Sequence, residues 1–208
     1  MSGRGQDPPS LVVEERGPVA VIRLNRPAER NPLSSPTLDE LEQAFSSLLA
    51  RREVSAVALT GAGDVFASGA DIRELQQLTP DSALEFSRRG QRLFQLIEEA
   101  RVPTVAAVNG FCIGGGLDLA LACRARCASA SAVFAHPGAR LGVITGWGGT
   151  QRLPRLVGAA RALEMFAAGR RLTAEEAFGF GLVSRVCDPV LDCAVGLAAR
   201  LAGVAAES

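Results

Sequence analysis

Asn109-Gly110-Phe111-Cys112-Ile113-Gly114-Gly115-Gly116-Leu117-Asp118 is the stretch that decides how this chain is read. The apolar run Val105-Ala106-Ala107-Val108 leads into it, and Leu119-Ala120-Leu121-Ala122-Cys123 leaves it. That order predicts a strand, a glycine turn and a buried helix, with Gly115 near the helix N-terminus. Three consecutive glycines leave backbone N–H groups uncovered and let another group approach the main chain closely. An unpaired N–H at the positive end of a helix favours negative charge, including charge that develops on a carbonyl oxygen. Asp118 falls about one helical turn later, on the face of Gly115, so a carboxylate is aimed into the same space. The pattern predicts an oxyanion site with an acid or base beside it.

The totals bound what such a site can serve. With 208 residues, 48% of them apolar, the chain can bury a core as one domain. Its 22 basic and 22 acidic residues cancel, which argues against nucleic acid or an anionic membrane surface as the main partner. All the basic side chains are arginine, and lysine and tyrosine are absent, which excludes a Schiff-base lysine and a tyrosine acid. No apolar run is long enough to span a bilayer. Residues 1–10 are small, polar and proline-containing, without the apolar segment of a signal peptide; they read as a disordered tail ahead of a domain over 11–208. The five cysteines, Cys112, Cys123, Cys127, Cys187 and Cys193, read as buried reduced thiols of a cytoplasmic protein. Cys123 and Cys127 have roughly ligand-like spacing, but His136 is the only histidine and no second cysteine pair follows, so no metal site is expected.

Along the chain, Leu11 to Glu15 and Val19 to Leu24 read as strands joined by the Gly17-Pro18 turn. Ser35 as cap and Pro36 at the first helical position open a helix through Leu38, Leu41, Phe45, Leu48 and Leu49. Ala56 to Thr60 reads as a buried strand, and Thr79-Pro80-Asp81 starts a long helix with apolar positions at Leu84, Phe86, Leu93, Phe94, Leu96 and Ile97. After the glycine stretch come brief strands at Arg126 to Ala128 and Val133 to Ala135, then a glycine-rich loop from Gly142 to Gly149. Thr173-Ala174-Glu175-Glu176 forms a capping box, Val183 to Val186 a last strand, and Pro189 to Leu201 an amphipathic closing helix. Strands separated by helices of this length imply a parallel α/β arrangement.

A second segment bears on the first. Phe66-Ala67-Ser68-Gly69-Ala70-Asp71 follows a buried strand, so it belongs at the strand's C-terminal end, where α/β sheets place ligands. Its small residues leave the backbone bare. The order of motifs along nearly the whole chain resembles the crotonase (enoyl-CoA hydratase/isomerase) superfamily. The matching features are Leu24-Asn25-Arg26-Pro27 with Asn31-Pro32-Leu33, Phe66 to Ile72, and Pro103-Thr104-Val105-Ala106-Ala107-Val108-Asn109-Gly110. Gly114-Gly115-Gly116-Leu117-Asp118-Leu119-Ala120, Gly148-Gly149-Thr150-Gln151-Arg152-Leu153-Pro154 and Gly181-Leu182-Val183 complete the series.

The resemblance implies a crotonase-like spiral of ββα units that binds an acyl-CoA thioester, with most of the family's C-terminal helical region missing here. It assigns the N–H groups of Ala70 and Gly115 to the thioester oxygen, and catalytic positions to Asp118 and Gly138. Substrate-binding positions fall on Arg30, Ser68, Gly69, Ile72, Gly114, His136 and Trp147. It implies no cofactor beyond the coenzyme A carried by the substrate, and assembly as a homotrimer or a dimer of trimers.

This sequence departs from the pattern in one place that bears on the chemistry. Hydratases that resemble it use two glutamates; the first position is Asp118 and the second is Gly138, which cannot transfer a proton. The further aspartate of dienoyl-CoA isomerases falls on Gly146. His136, two residues before Gly138, is a candidate replacement, weighed against a structural histidine at a strand end. Glu74 is a weaker candidate, Asp71 reads as a helix cap, Trp147 as pocket wall, and Arg152 and Arg155 as salt-bridge or subunit-contact residues. Three functions fit these residues: an enoyl-CoA hydratase/isomerase, a decarboxylase of malonyl-type thioesters, and a degenerate thioester-binding subunit.

Overall fold

The computed structural model describes residues 9–203. In order, the elements of the first half are β1 (Leu11–Arg16), β2 (Val19–Leu24), β3 (Pro32–Leu33), α1 (Ser35–Ala50), β4 (Ala56–Gly61), β5 (Val65–Ala67), β6 (Gly69–Ala70), α2 (Ile72–Leu75) and α3 (Pro80–Glu98). Then come β7 (Thr104–Val108), β8 (Phe111–Ile113), α4 (Gly115–Ala122), β9 (Ala125–Ala128), β10 (Val133–Ala135), α5 (Gly149–Val157) and α6 (Ala159–Ala167). The chain closes with β11 (Arg171–Thr173), α7 (Ala174–Gly179), β12 (Arg185–Val186) and α8 (Val190–Leu201).

Two sheets carry the architecture. The larger has the order β1-β2-β4-β7-β9-β12, antiparallel only at its β1–β2 edge, and the smaller runs β11-β10-β8-β5. Each of three successive units, β4-β5-α3, β7-β8-α4 and β9-β10-α5, gives one strand to each sheet and then a helix. That is the expected α/β spiral of ββα units.

Alternation along the strands decides which helix covers which face. Val19, Val21, Ala56, Ala58, Val105, Ala107 and Cys127 point to one side of the large sheet, where Val190, Ala194 and Ala198 of α8 close over them. Ala20, Ile22, Val57, Leu59, Ala106 and Val108 point to the other, into a core with Leu38, Leu41 and Phe45 of α1 and Leu93, Phe94 and Ile97 of α3. Between the sheets runs α4, buried from Gly116 through Ala122, which is why its sequence is apolar all round apart from Asp118.

Several local expectations need correction. The α1 cap is Ser34, whose side chain accepts from the Thr37 N–H, so Ser35 is already helical. The strand β8 lies inside the stretch read as a glycine turn; three residues are too few to show a period. The loop read as reaching Gly149 ends at Gly148, and α5 and α6 follow it. Cys187 and Cys193 form a half-buried pair across the turn into α8, with Cα atoms 6.6 Å apart, whereas Cys112, Cys123 and Cys127 are buried free thiols. Of the expected 1–10 tail, residues 1–8 lie outside the described residues; Ser10 is buried, and its carbonyl accepts from the Asn25 N–H at 2.8 Å.

Asn31 ties the loop after β2 to the β4–β5 connection. Its backbone is left-handed (φ 50°), a conformation asparagine tolerates. Its amide nitrogen donates to the Val65 carbonyl at 2.7 Å and the Ala62 carbonyl at 3.0 Å, while its Oδ1 accepts from the Arg26 N–H at 2.9 Å. Asn31→Ala strands these buried partners and adds left-handed strain, so it should cost about 2–3 kcal/mol. The check is the midpoint of chemical denaturation at constant m-value.

Candidate active site

Ala70 and Gly115 lie side by side where two main-chain segments meet. Ala70 ends β6, which runs parallel to β3 with Gly69 opposite Pro32 and Ala70 opposite Leu33. Gly115 is the first residue of α4, so its N–H has no intrahelical acceptor. Gly69 lies between them with φ 96°, and a side chain there would stand 2.8 Å from the Ile113 carbonyl and 2.9 Å from the Gly115 nitrogen. A methyl group on Gly115 would lie 3.4 Å from the Ala70 nitrogen. Only glycine at 69 lets the two main-chain segments come this close, while glycine at 115 makes room for the Trp147 ring. Both residues that carry the N–H groups are half-buried rather than sealed.

Gly114 connects this point to the titratable groups. Its N–H donates to the Ala135 carbonyl at 2.9 Å, and its own carbonyl accepts from the Asp118 N–H at 3.1 Å. His136, next to Ala135, thereby sits beside the glycine run together with Asp118. The Asp118 side chain is fully buried and the His136 ring nearly so, with Phe166 packed on the ring at 5.0 Å. His136 Nε2 is 3.0 Å from Asp118 Oδ1, close enough for a hydrogen bond but off its angle. These two are the buried side-chain polar atoms without an aligned partner among the described residues. The other carboxylate oxygen accepts from the Thr145 hydroxyl.

The turn from 137 to 148 roofs the site. The Val143 N–H donates to the Gly138 carbonyl at 3.1 Å, and a Cβ on Gly138 would meet the Val143 carbonyl at 2.7 Å. The turn is thus closed around a bare backbone at 138. Trp147 is buried against Phe86 and Phe94, with ring centroids at 5.2 and 5.6 Å, and its indole N–H donates to the Phe86 carbonyl at 3.3 Å. Side chains on Gly90 or Gly115 would run into its ring, so it is a wall fitted between two glycines. Gly146 brings no side chain; its carbonyl accepts from Ser87 and Gln91.

The remaining candidates separate cleanly. The Ser68 N–H donates to the Arg30 carbonyl at 3.1 Å, and the exposed Arg30 guanidinium lies 5.6 Å over the Phe111 ring. Ile72 is exposed at the start of α2, beside the Ala70 loop. Asp71 caps α2, and the Arg73 guanidinium beside it holds its carboxyl below the usual range. Glu74 is taken up by the backbone and hydroxyl of Ser35, which removes it as a free acid. Arg152 pairs with Glu98 at 2.6 Å, whereas Arg155 donates to the Gln151 carbonyl. Burial pushes the Cys112 thiol well up and that of Cys123 up to about 12, so neither is poised as a nucleophile.

A cavity of about 520 Å³ touches Thr145, Trp147, Gln91 and Arg152 but neither Ala70 nor Gly115, so this hollow lies beside the backbone site rather than over it. No group of three metal-ligating side chains gathers among the described residues, and none of their helices is long and apolar enough to cross a membrane. Sequence reasoning missed the Asp118–His136 contact and the Thr145 bond. The three residues are 18 and 9 positions apart, and no periodicity links them.

A family model described as enoyl-CoA hydratase/isomerase matches residues 14–207. The short-chain-enoyl-CoA hydratase of Clostridium acetobutylicum is 40% identical over 181 residues, which cover 86% of this chain and 69% of that protein. The crotonyl-CoA hydratase of Syntrophomonas wolfei is 41% identical, covering 86% and 70%. Among solved structures, an enoyl-CoA hydratase from Bacillus anthracis superposes with a TM-score of 0.88 at 35% identity, over 93% of this chain and 77% of that one. Pseudomonas aeruginosa DspI gives 0.90 at 34% identity, over 99% and 85%.

Proposed function

Because this chain belongs to the enoyl-CoA hydratase/isomerase family, we propose that it binds an acyl-CoA thioester and stabilises an enolate-like state formed from it. The observation that carries this is the convergence of Ala70 and Gly115 across Gly69. The thioester oxygen accepts from both backbone N–H groups, which are fixed before charge develops and need no reorganisation when it does. Gly69 and Gly114 keep the approach open, while Ser68, Ile72 and the 26–30 loop with Arg30 contact the coenzyme A portion. Trp147 walls the acyl side. Coenzyme A belongs to the substrate, and no resident cofactor takes part.

Hydration adds water across the Cα–Cβ double bond. Water oxygen bonds to Cβ, the π electrons move to the thioester oxygen, and a proton must then be delivered to Cα. Asp118 is the carboxylate at the site, and Gly138 offers nothing at the second acid position. The reading extends to a homotrimer or dimer of trimers, as the family resemblance implies, and to the cytoplasm, on the buried free thiols.

The test is binding and turnover across a small panel of acyl-CoA thioesters. Hydration of crotonyl-CoA supports the reading. Carbon dioxide release from malonyl- or methylmalonyl-CoA without hydration would assign the same oxyanion hole to decarboxylation, which forms the enolate by C–C cleavage and needs no strong base. Binding without turnover would leave a thioester-binding subunit, and no binding at all ends the proposal.

A further inference from the structure

We infer that His136 is the proton-transfer group of this site, standing in for the acid missing at Gly138, and that Asp118 is its positioning residue. The inference rests on the thioester reading above. It begins from an anomaly of burial. Asp118 Oδ1 and His136 Nε2 are both sealed from solvent, stand 3.0 Å apart, and have no aligned hydrogen-bond partner among the described residues. Buried polar groups are nearly always satisfied, so such a pair calls for a reason.

The backbone supplies one. Gly114 binds the residue before His136 through its N–H and the Asp118 N–H through its carbonyl. Both members of the pair are therefore fixed to the residue that precedes the Gly115 donor. Thr145 occupies the far oxygen of Asp118, leaving Oδ1 for the imidazole. A carboxylate only accepts, so Nε2 carries a proton toward Oδ1 and Nδ1 keeps the lone pair that takes a proton. Meanwhile the turn at 138–143 is closed on a backbone with no room for a Cβ. The acid position is filled by main chain, and of the two ionisable groups nearest to it in sequence, His136 and Arg140, only the imidazole can exchange a proton near neutral pH, and it lies against Asp118.

One residue then serves both halves of the addition. As water oxygen bonds to Cβ, His136 takes the water proton and the electron pair moves onto the oxygen held by Ala70 and Gly115. The imidazolium next returns that proton to Cα as the carbonyl re-forms. Water is consumed whole, the histidine ends as it began, and no other reagent enters.

His136 is the only histidine in the chain, so its ¹⁵N and ¹³C signals need no assignment. In wild-type protein the ring nitrogens should show the proton on Nε2, and Asp118→Asn should abolish that preference; a proton on Nδ1 in the wild type overturns the inference. His136→Gln should lower kcat for crotonyl-CoA by about a hundredfold or more while butyryl-CoA binding stays within about threefold. If wild-type enzyme turns over and His136→Gln keeps its kcat, the histidine is structural and only this inference falls. If wild-type protein binds no acyl-CoA, the thioester reading fails and the inference with it.

Discussion

Gly115→Ala should reduce turnover of a crotonyl-type thioester by about 10²- to 10³-fold: the N–H stays, but a methyl group crowding it would deny the oxygen one donor, and losing the use of one such donor costs that much. The added methyl group would sit 3.4 Å from the Ala70 nitrogen, between the two proposed donors. It would also enter the Trp147 ring, and that steric cost must be separated from the loss of the hole. Gly115→Ala/Trp147→Ala does so by making room for the ring side of the methyl. Its melting temperature should recover toward that of Trp147→Ala alone, while kcat stays low. A double variant that regains wild-type kcat would mean that the Gly115 N–H does not hold the reacting oxygen.

Asp118→Asn carries the second large effect, a kcat lower by about 10²- to 10⁴-fold with thioester affinity nearly unchanged. Asparagine keeps the shape and the Thr145 contact but replaces an obligate acceptor with a group that donates as well. The backbone donors at Ala70 and Gly115 are untouched, so binding should survive. Thr145→Val is the graded comparison. It removes one hydrogen bond to a carboxylate that stays in place, and about fivefold is the expected loss. Steady-state kinetics with both variants, alongside titration with a saturated thioester, reads the difference. Full turnover by Asp118→Asn would place the chemistry elsewhere.

The fold was legible where residues act locally or repeat with a period. The continuous apolar runs of β2, β4 and β7 announced strands buried on both faces, and the Thr173–Glu176 capping box was found as spelled. The α5–α6 pair was hidden because Gly148, Gly149 and Pro154 are helix breakers by propensity. Leu153 and Val157, one turn apart and both buried, were the signal that outweighs them. At the site, the glycine run and the Ala70 segment could be read because closeness of backbones demands particular residues. The pairing of Asp118 with His136 could not, since it depends on helix α4 and the end of β10 being brought together by the β8–β10 register rather than on any spacing along the chain.

The two-residue ladder between β3 and β6 has a mechanical meaning. On one side of it lie Arg30 and Asn31 in left-handed conformations, gripped by three Asn31 side-chain bonds; on the other lies Ala70. The Ser68 N–H is latched to the same loop through the Arg30 carbonyl. With the loop tied by these bonds to the segment that ends at Ala70, a pull or twist delivered to residues 26–31 should arrive at Ala70 as a change in where its N–H points. On the thioester reading proposed above, a molecule held at that loop and a carbonyl held at Ala70 would share one lever, and the stiffness of a few main-chain hydrogen bonds would set how faithfully grip at one end becomes aim at the other.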